Sequence, residues 1–172
     1  MDFTNDPIFN AIHNGIKDDI AFNFDNKRFR AAVILIYSGM DAMAYLDMPD
    51  SQDDVRRTDF IRWADRYIKI NSPEPVTGDD LYGARCAMLH SYGVVSKLSR
   101  ESKCRMVAYS DRASPPVAFN PAIHGGLLIL SIEALKDAFF VAIDKFLVDA
   151  FADKSKARII ERRLPWLMTV VQ

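Results

Sequence analysis

Two side chains in one short stretch of the chain, Arg85 and His90, have the chemistry needed to cleave RNA. They lie in the segment Leu81–Gly93 among small and apolar residues, and Tyr92 follows the histidine by two positions. An imidazole titrates near neutral pH, so it can take a proton from a ribose hydroxyl or give one to a leaving oxygen. A guanidinium can bind the oxygens of a phosphate that gains charge in the transition state. Attack of the 2′-hydroxyl on the adjacent phosphorus would leave a cyclic phosphate, a reaction that DNA cannot undergo.

The spacing of these residues limits how they can meet. On an ideal helix Arg85 and His90 differ by about 140°, whereas Arg85 and Tyr92 differ by about 20°. The arginine and the histidine therefore cannot lie side by side on one regular helix. Either the helix ends or distorts near His90, or a phosphate binds in a groove where two copies of the helix meet. The second arrangement predicts a symmetric homodimer through Leu81–Gly93.

Apolar residues that recur every three or four positions predict the helices that must position this segment. Thr77 or Asp79 is predicted to cap the helix that carries Arg85 and His90, and Gly93 comes where a glycine would close it. Gly39 interrupts a nearly all-apolar helix and indicates a close approach of two helices. Ser131 is predicted to cap a later, long helix. The predicted helices cover about 7–26, 27–46, 54–70, 79–93, 131–149 and the region from 153 onwards.

The helical periodicity fails in the segment Ser99–Gly126. Its part at Cys104–Tyr109 alternates weakly and indicates a short strand, and Gly125–Leu130 is predicted to pair with it as a small hairpin-like appendage. His124, beside two glycines, is predicted to be a loop residue. The expected fold is therefore all-α, an up-and-down bundle of about five to six helices in one domain (1–172), with a hairpin or an irregular insert around 99–130.

A basic side of the third predicted helix is a candidate surface for the RNA backbone. Five basic residues form it: Arg56, Arg57, Arg62, Arg66 and Lys69. Of these we assign Arg62, Arg66 and Lys69 as candidate substrate-binding residues because lysine and arginine neutralise phosphates. The alternative is an ordinary solvated helix face, which such charge patterns usually indicate.

The Arg-x4-His pattern with a tyrosine two residues later resembles the RNase motif of HEPN domains, which are small helical modules of toxin, anti-phage and RNA-processing systems. Arg85 matches the family arginine, His90 the family histidine, and Tyr92 a tyrosine seen in a subset paired with nucleotidyltransferase antitoxins. The family often has a polar residue directly after the arginine, where this chain has Cys86. The resemblance implies a dimer with a composite site, an endoribonuclease that needs no metal or other cofactor, and an antitoxin or nucleotidyltransferase as a partner.

Composition and charge favour a single globular domain and place no strong constraint on partners. The chain has 172 residues, 49% of them hydrophobic, with 22 Lys and Arg against 23 Asp and Glu. A net charge of -1 does not indicate a nucleic-acid-binding protein as a whole, so any contact with RNA must be local. The two cysteines form no metal-ligand spacing, and no signal peptide or membrane span is predicted. We therefore expect a cytoplasmic protein.

Two alternatives to a ribonuclease stay open. The same groove could serve a HEPN-like module that does not cleave but binds a nucleotide or a partner protein. In a helical interaction protein, Arg85 would form a structural salt bridge with Asp79 or Asp80, His90 would be an interface residue and Tyr92 a residue at the edge of the core.

Overall fold

A computed structural model describes residues 6–123 and 125–167 of the chain, and helices make up most of it. A π-helical segment, Phe9–Lys17, runs directly into the first α-helix, and a 3-10 turn, Leu164–Trp166, follows the last. His124 lies outside the described residues. The α-helices are α1 (Asp18–Asp25), α2 (Phe29–Asp47), α3 (Arg57–Tyr67), α4 (Gly78–Ser91), α5 (Lys97–Arg100), α6 (Ile132–Phe151) and α7 (Lys154–Arg163).

Three strands form a mixed sheet, so the prediction of an all-α, up-and-down bundle of five to six helices is wrong. The strands are β1 (Met106–Ser110), β2 (Val117–Asn120) and β3 (Leu127–Ser131), in the order β1-β3-β2. The first and third strands are parallel, and β2 pairs antiparallel with β3. A hairpin between the regions of β1 and β3 would have made them antiparallel, so that prediction is wrong as well.

The sheet belongs to the hydrophobic core and is not an appendage. Val107 of β1 and both Leu128 and Leu130 of β3 are at most 1% exposed and pack in the same core as the helices. The Tyr109 hydroxyl of β1 also lies 2.8 Å from the Tyr37 hydroxyl of α2, a hydrogen bond that joins the sheet to that helix. The fold is therefore a mixed α/β structure in which the sheet and the helices share one core.

Helix α2 lies at the centre of this core, as its nearly all-apolar sequence predicts. It packs against α1, α3, α4, α6 and α7. A Cβ atom placed on Gly39 would lie 2.7 Å from Cζ of Phe139 and 3.0 Å from Cγ2 of Ile16. The predicted close approach at Gly39 is therefore confirmed, and a larger residue has no space there.

The Gly39→Ala substitution is expected to lower the free energy of unfolding by about 1–2 kcal/mol. Overpacking a filled core costs about 1–3 kcal/mol, which outweighs the helix-forming advantage of alanine over glycine, up to about 1 kcal/mol. Urea unfolding followed by circular dichroism measures the change. The control is Gly93→Ala, where the nearest atom beyond the adjacent residues is Oγ of Ser91 at 3.3 Å, on a side chain that can rotate away. Equal stability of the two variants would contradict the expected crowding.

By length and composition alone, α2 could also cross a membrane. Half of its most apolar stretch is buried inside the structure, and core helices pass the same test. Its contacts with the other helices account for its apolar residues without a lipid phase.

Candidate functional site

The helix that carries Arg85 and His90, α4, is anchored at its N-terminus. Oγ1 of Thr77 accepts a hydrogen bond from the Asp80 backbone N–H at 3.2 Å, and Oδ2 of Asp80 accepts one from the Thr77 N–H at 3.1 Å. The Gly78 N–H donates to Oδ1 of Asp65 on α3 at 2.6 Å. These bonds satisfy N–H groups that have no partner within the helix. The predicted cap at Thr77 is confirmed.

A second set of bonds fixes the same end of α4 to the sheet. Asp80 is buried, and its Oδ2 contacts Nη2 of Arg105 at 2.5 Å while its Oδ1 accepts from the Arg105 backbone N–H at 2.9 Å. Burial alone raises the pKa of Asp80, but the hydrogen bonds from Arg105 and Thr77 outweigh burial and lower that pKa below its ordinary value. The carboxylate therefore stays charged and holds α4 in a fixed position against β1.

The C-terminus of α4 differs from the sequence prediction. The helix ends at Ser91, and Tyr92 has left-handed backbone angles, φ 54° and ψ 24°, in the place predicted for Gly93. The Gly93 N–H donates to the carbonyl of Ala87 at 3.2 Å and closes the last turn. Because Tyr92 ends the helix, the angle of about 20° from Arg85 that an uninterrupted helix predicts does not apply to it.

Arg85 forms an ion pair with a residue that the sequence did not single out. Its Nε and Nη2 both contact Oδ2 of Asp41 on α2, at 2.9 and 2.8 Å. The suggested structural partners, Asp79 and Asp80, instead contact Arg57 and Arg105. Burial raises the pKa of Asp41 although Arg85 opposes this effect, whereas the hydrogen bond and the charge of Asp41 outweigh desolvation and raise the pKa of Arg85. Arg85 is therefore a charged, partly buried and oriented guanidinium.

His90 and Tyr92 lie on the surface. His90 is exposed in the last turn of α4, and its side chain forms no hydrogen bond or ion pair with residues 6–123 or 125–167. The side chain of Tyr92 is 64% exposed. Within one chain no hydrogen bond, ion pair or ring contact joins Arg85, His90 and Tyr92 to one another in the part that the structure describes. His90 lies five residues, or about 7.5 Å, beyond Arg85 along the helix axis and about 140° around it.

The surroundings of Arg85 include residues from α3 as well as α2. The guanidinium carbon of Arg85 lies 6.0 Å from the centre of the Tyr82 ring, and that of Arg57 lies 5.4 Å from it. The Tyr82 ring also packs edge-on against Phe60, with 5.5 Å between the ring centres. Nη2 of Arg57 contacts Oδ1 of Asp79 at 2.5 Å. Two arginines thus share one aromatic ring at the contact of α3 and α4.

The three predicted substrate-binding residues, Arg62, Arg66 and Lys69, form ion pairs or hydrogen bonds with other residues. Nη2 of Arg62 is 2.9 Å from Oδ1 of Asp59, and Arg66 pairs with Asp149 of α6 at 3.7 Å. Lys69 follows the end of α3 and donates to the backbone carbonyl of Asp65. Arg57 and Arg66 are nine residues apart, so they point to opposite sides of α3, and Arg66 faces α6 instead of α4. Arg66 therefore lies on the side of α3 away from α4, whereas the contacts of Arg62 and Lys69 are local ones, with Asp59 and Asp65.

The residues that sequence reasoning missed had only weak local signals. Asp41 is the one acidic residue between Phe29 and Leu46, and a lone carboxylate in an apolar helix indicates a buried partner. Arg57 belongs to the predicted basic side of the third helix but was not assigned as substrate-binding, and Tyr82 resembles an ordinary core residue. Only the packing of α3 on α4 brings Arg57 close to Arg85. Within residues 6–123 and 125–167, no group of three or more His, Cys, Asp or Glu side chains could hold a metal ion.

Comparisons with protein-family models, with curated protein sequences and with solved structures found no significant match to this chain. The similarity to HEPN domains therefore depends on the residues of α4 and its C-terminal end alone.

Proposed function

We propose that this protein is an endoribonuclease that resembles HEPN ribonucleases and cleaves single-stranded RNA without a metal ion. The observation that supports this function best is that α4 carries both an oriented arginine and an exposed histidine. Arg85 is charged and held by Asp41, and His90 of the same helix is exposed, with no hydrogen bond to the described residues. A pre-oriented cation and an accessible imidazole on one helix are what phosphodiester cleavage by acid–base catalysis requires.

In the proposed reaction His90 takes the proton of the 2′-hydroxyl as its oxygen attacks the adjacent phosphorus. Arg85 binds a non-bridging oxygen of that phosphate and stabilises the charge that develops there. The bond from phosphorus to the 5′-oxygen breaks, and that oxygen takes a proton from a second acid. The products are a 2′,3′-cyclic phosphate and a 5′-hydroxyl. Tyr92 orients the histidine or the substrate from the end of the helix.

Two copies of α4 would supply what one copy lacks. Arg85 and His90 lie on different sides of the helix in one chain, so a groove between two copies would bring the arginine of one to the histidine of the other. It would also provide two histidines, one as base and one as acid. Directly after His90, the side chains of Tyr92, Val94 and Val95 are 64%, 40% and 40% exposed. Apolar side chains at this position suit a symmetric contact between two copies.

The proposed dimer can be tested with a substitution at Val95. Val95→Glu is expected to convert the dimer to a monomer, because two negative charges would oppose each other near the two-fold axis, and to reduce RNA cleavage with it. Analytical ultracentrifugation and a cleavage assay on the same samples measure both effects. Val141→Glu is the matched control, since Val141 is 67% exposed on α6 and distant in sequence from α4. A Val95→Glu protein that stays dimeric, or a parent that cleaves RNA as a monomer, would contradict this arrangement.

Incubation of the purified protein with single-stranded RNA in EDTA tests the function itself. We expect cleavage with 2′,3′-cyclic phosphate ends and no cleavage of DNA of the same sequence. The resemblance also suggests a toxin or defence role, with an antitoxin or nucleotidyltransferase as the partner that restrains it.

A second function is favoured by the ion pair of Arg85 with Asp41. A carboxylate already neutralises the guanidinium, which suits a module that binds a nucleotide or a partner protein without cleaving RNA. This alternative predicts RNA or nucleotide binding that weakens with added salt, without any product in the cleavage assay.

A further inference from the structure

The Tyr82 ring brings two arginines together from different helices. Arg57 lies in the first turn of α3 and Arg85 in the middle of α4. Since their guanidinium carbons lie 5.4 and 6.0 Å from the centre of the same ring, they are at most about 11 Å apart. Both side chains reach the surface, with 37% of Arg57 and 24% of Arg85 exposed.

Each guanidinium contacts a carboxylate at one edge and has further N–H donors at its other edges. Asp41 contacts Nε and Nη2 of Arg85, and the side chain of Cys86, a weak acceptor, is also within hydrogen-bond reach of the guanidinium. A guanidinium has five N–H donors, so donors remain for a further acceptor. Asp79 contacts Nη2 of Arg57 at 2.5 Å. A carboxylate at one edge and an aromatic ring beneath fix the direction of a guanidinium, and its remaining donors match the oxygens of a phosphate.

We infer that Arg57 and Arg85, arranged around Tyr82, bind two phosphates of one RNA strand. Arg85 binds the phosphate that is cleaved, and Arg57 binds another phosphate nearby on the same strand. This inference depends on the proposed function, and it extends the site from α4 to the first turn of α3. Successive phosphates of a stacked strand are separated by more than the axial rise of about 3.4 Å per nucleotide, so two phosphates close together on one strand can each reach one of the two arginines. Arg57 thereby takes the role that the sequence suggested for Arg62, Arg66 and Lys69.

The experiment measures RNA affinity in a His90→Ala background, so that the probe stays intact. The probe is a fluorescent single-stranded oligoribonucleotide of about ten nucleotides, titrated at several salt concentrations. Arg57→Gln is expected to weaken binding about tenfold and to reduce the slope of log K against log [salt] by about 0.7, because one phosphate fewer is neutralised on a single strand. A dinucleotide with a single phosphate should bind equally to the parent and to the Arg57→Gln variant.

Two further variants make the result specific. Arg158→Gln removes the same charge from an exposed position of α7 and should leave the affinity and the slope unchanged. Arg62→Gln tests the outer side of α3, and weaker binding by that variant, with unchanged binding by Arg57→Gln, would overturn the inference. Arg57→Gln also breaks the pair with Asp79, so circular dichroism must show an unchanged thermal midpoint within a few degrees.

The outcomes separate this inference from the proposed function. If the parent with His90 cleaves RNA while Arg57→Gln and Arg158→Gln bind RNA equally, the two-arginine site is overturned and the ribonuclease stands. If the parent neither cleaves nor binds RNA, both are overturned.

Discussion

Replacing His90 by alanine is expected to reduce the cleavage of single-stranded RNA by about 10²- to 10⁴-fold, the usual contribution of a general acid or base. Arg85→Ala should reduce it by about 10²- to 10³-fold, since it removes the donor to the charged transition state. Both variants should keep the circular dichroism spectrum and the dimer of the parent. Initial rates of cleavage of a labelled oligoribonucleotide in EDTA measure the effects.

A mixing experiment distinguishes a composite site from a site within one chain. The His90→Ala and Arg85→Ala proteins, unfolded and refolded together, form mixed dimers in which one chain supplies the histidine and the other the arginine. If the site lies between two copies of α4, the mixed dimer keeps one intact pair of arginine and histidine and lacks the second histidine. The mixture should therefore regain part of the parent's activity, above that of either variant alone. Unchanged cleavage in both single variants would disprove the proposed function, and a mixture as inactive as its components would disprove the shared site.

The helices could be predicted from the sequence because their signals are local. A nearly all-apolar stretch predicted α2 at 27–46, and the structure has Phe29–Asp47. Oγ of Ser131 accepts a hydrogen bond from the Ala134 N–H at 3.2 Å and caps α6 as predicted. Helix caps and periodicity depend on residues within one or two turns of each other, so a single sequence contains them.

The sheet could not be predicted because strand pairing is nonlocal. β1 and β3 were recognised as strands, but the choice between parallel and antiparallel pairing depends on the path of the chain between them. That path contains β2, which follows Pro115 and Pro116 directly and for which the sequence predicted no strand. Short strands with four or five residues have little periodicity to read.

For the candidate site, as for the fold, the sequence contained the local signals and not the long-range contacts. Arg85 and His90 were identified because their side chains suit phosphodiester cleavage and because the Arg-x4-His pattern resembles the HEPN motif. Asp41, which orients the arginine, is 44 residues away, and no spacing rule links the two positions. Tyr92 was assigned from the resemblance to HEPN domains, and its angle of about 20° from Arg85 assumed a continued helix. The chain instead turns into a left-handed conformation at this residue. The reactive side chains of one helix could be identified from the sequence, whereas the contacts that position them could not.

The largest expected effect on stability comes from Asp80, which ties the N-terminus of α4 to β1. Asp80→Ala is expected to lower the free energy of unfolding by about 3–5 kcal/mol, because it removes one partner of a buried ion pair and leaves Arg105 without its buried carboxylate. The variant also loses half of the reciprocal cap with Thr77. Urea unfolding followed by circular dichroism measures the change, and RNA cleavage should fall at temperatures where α4 is no longer held.

The adjacent acid provides the control for that prediction. Asp79 is 46% exposed and pairs with Arg57 on the surface, so Asp79→Ala should cost only about 0–1 kcal/mol. The pH dependence separates the two residues further. Because the pKa of Asp80 is lowered by folding, its contribution is fully present above the unfolded value of about 3.9 and is lost as pH falls through the lower folded value. The parent should therefore lose more stability below about pH 4 than Asp80→Ala does, and parallel pH profiles would show that this carboxylate does not hold α4 to the sheet.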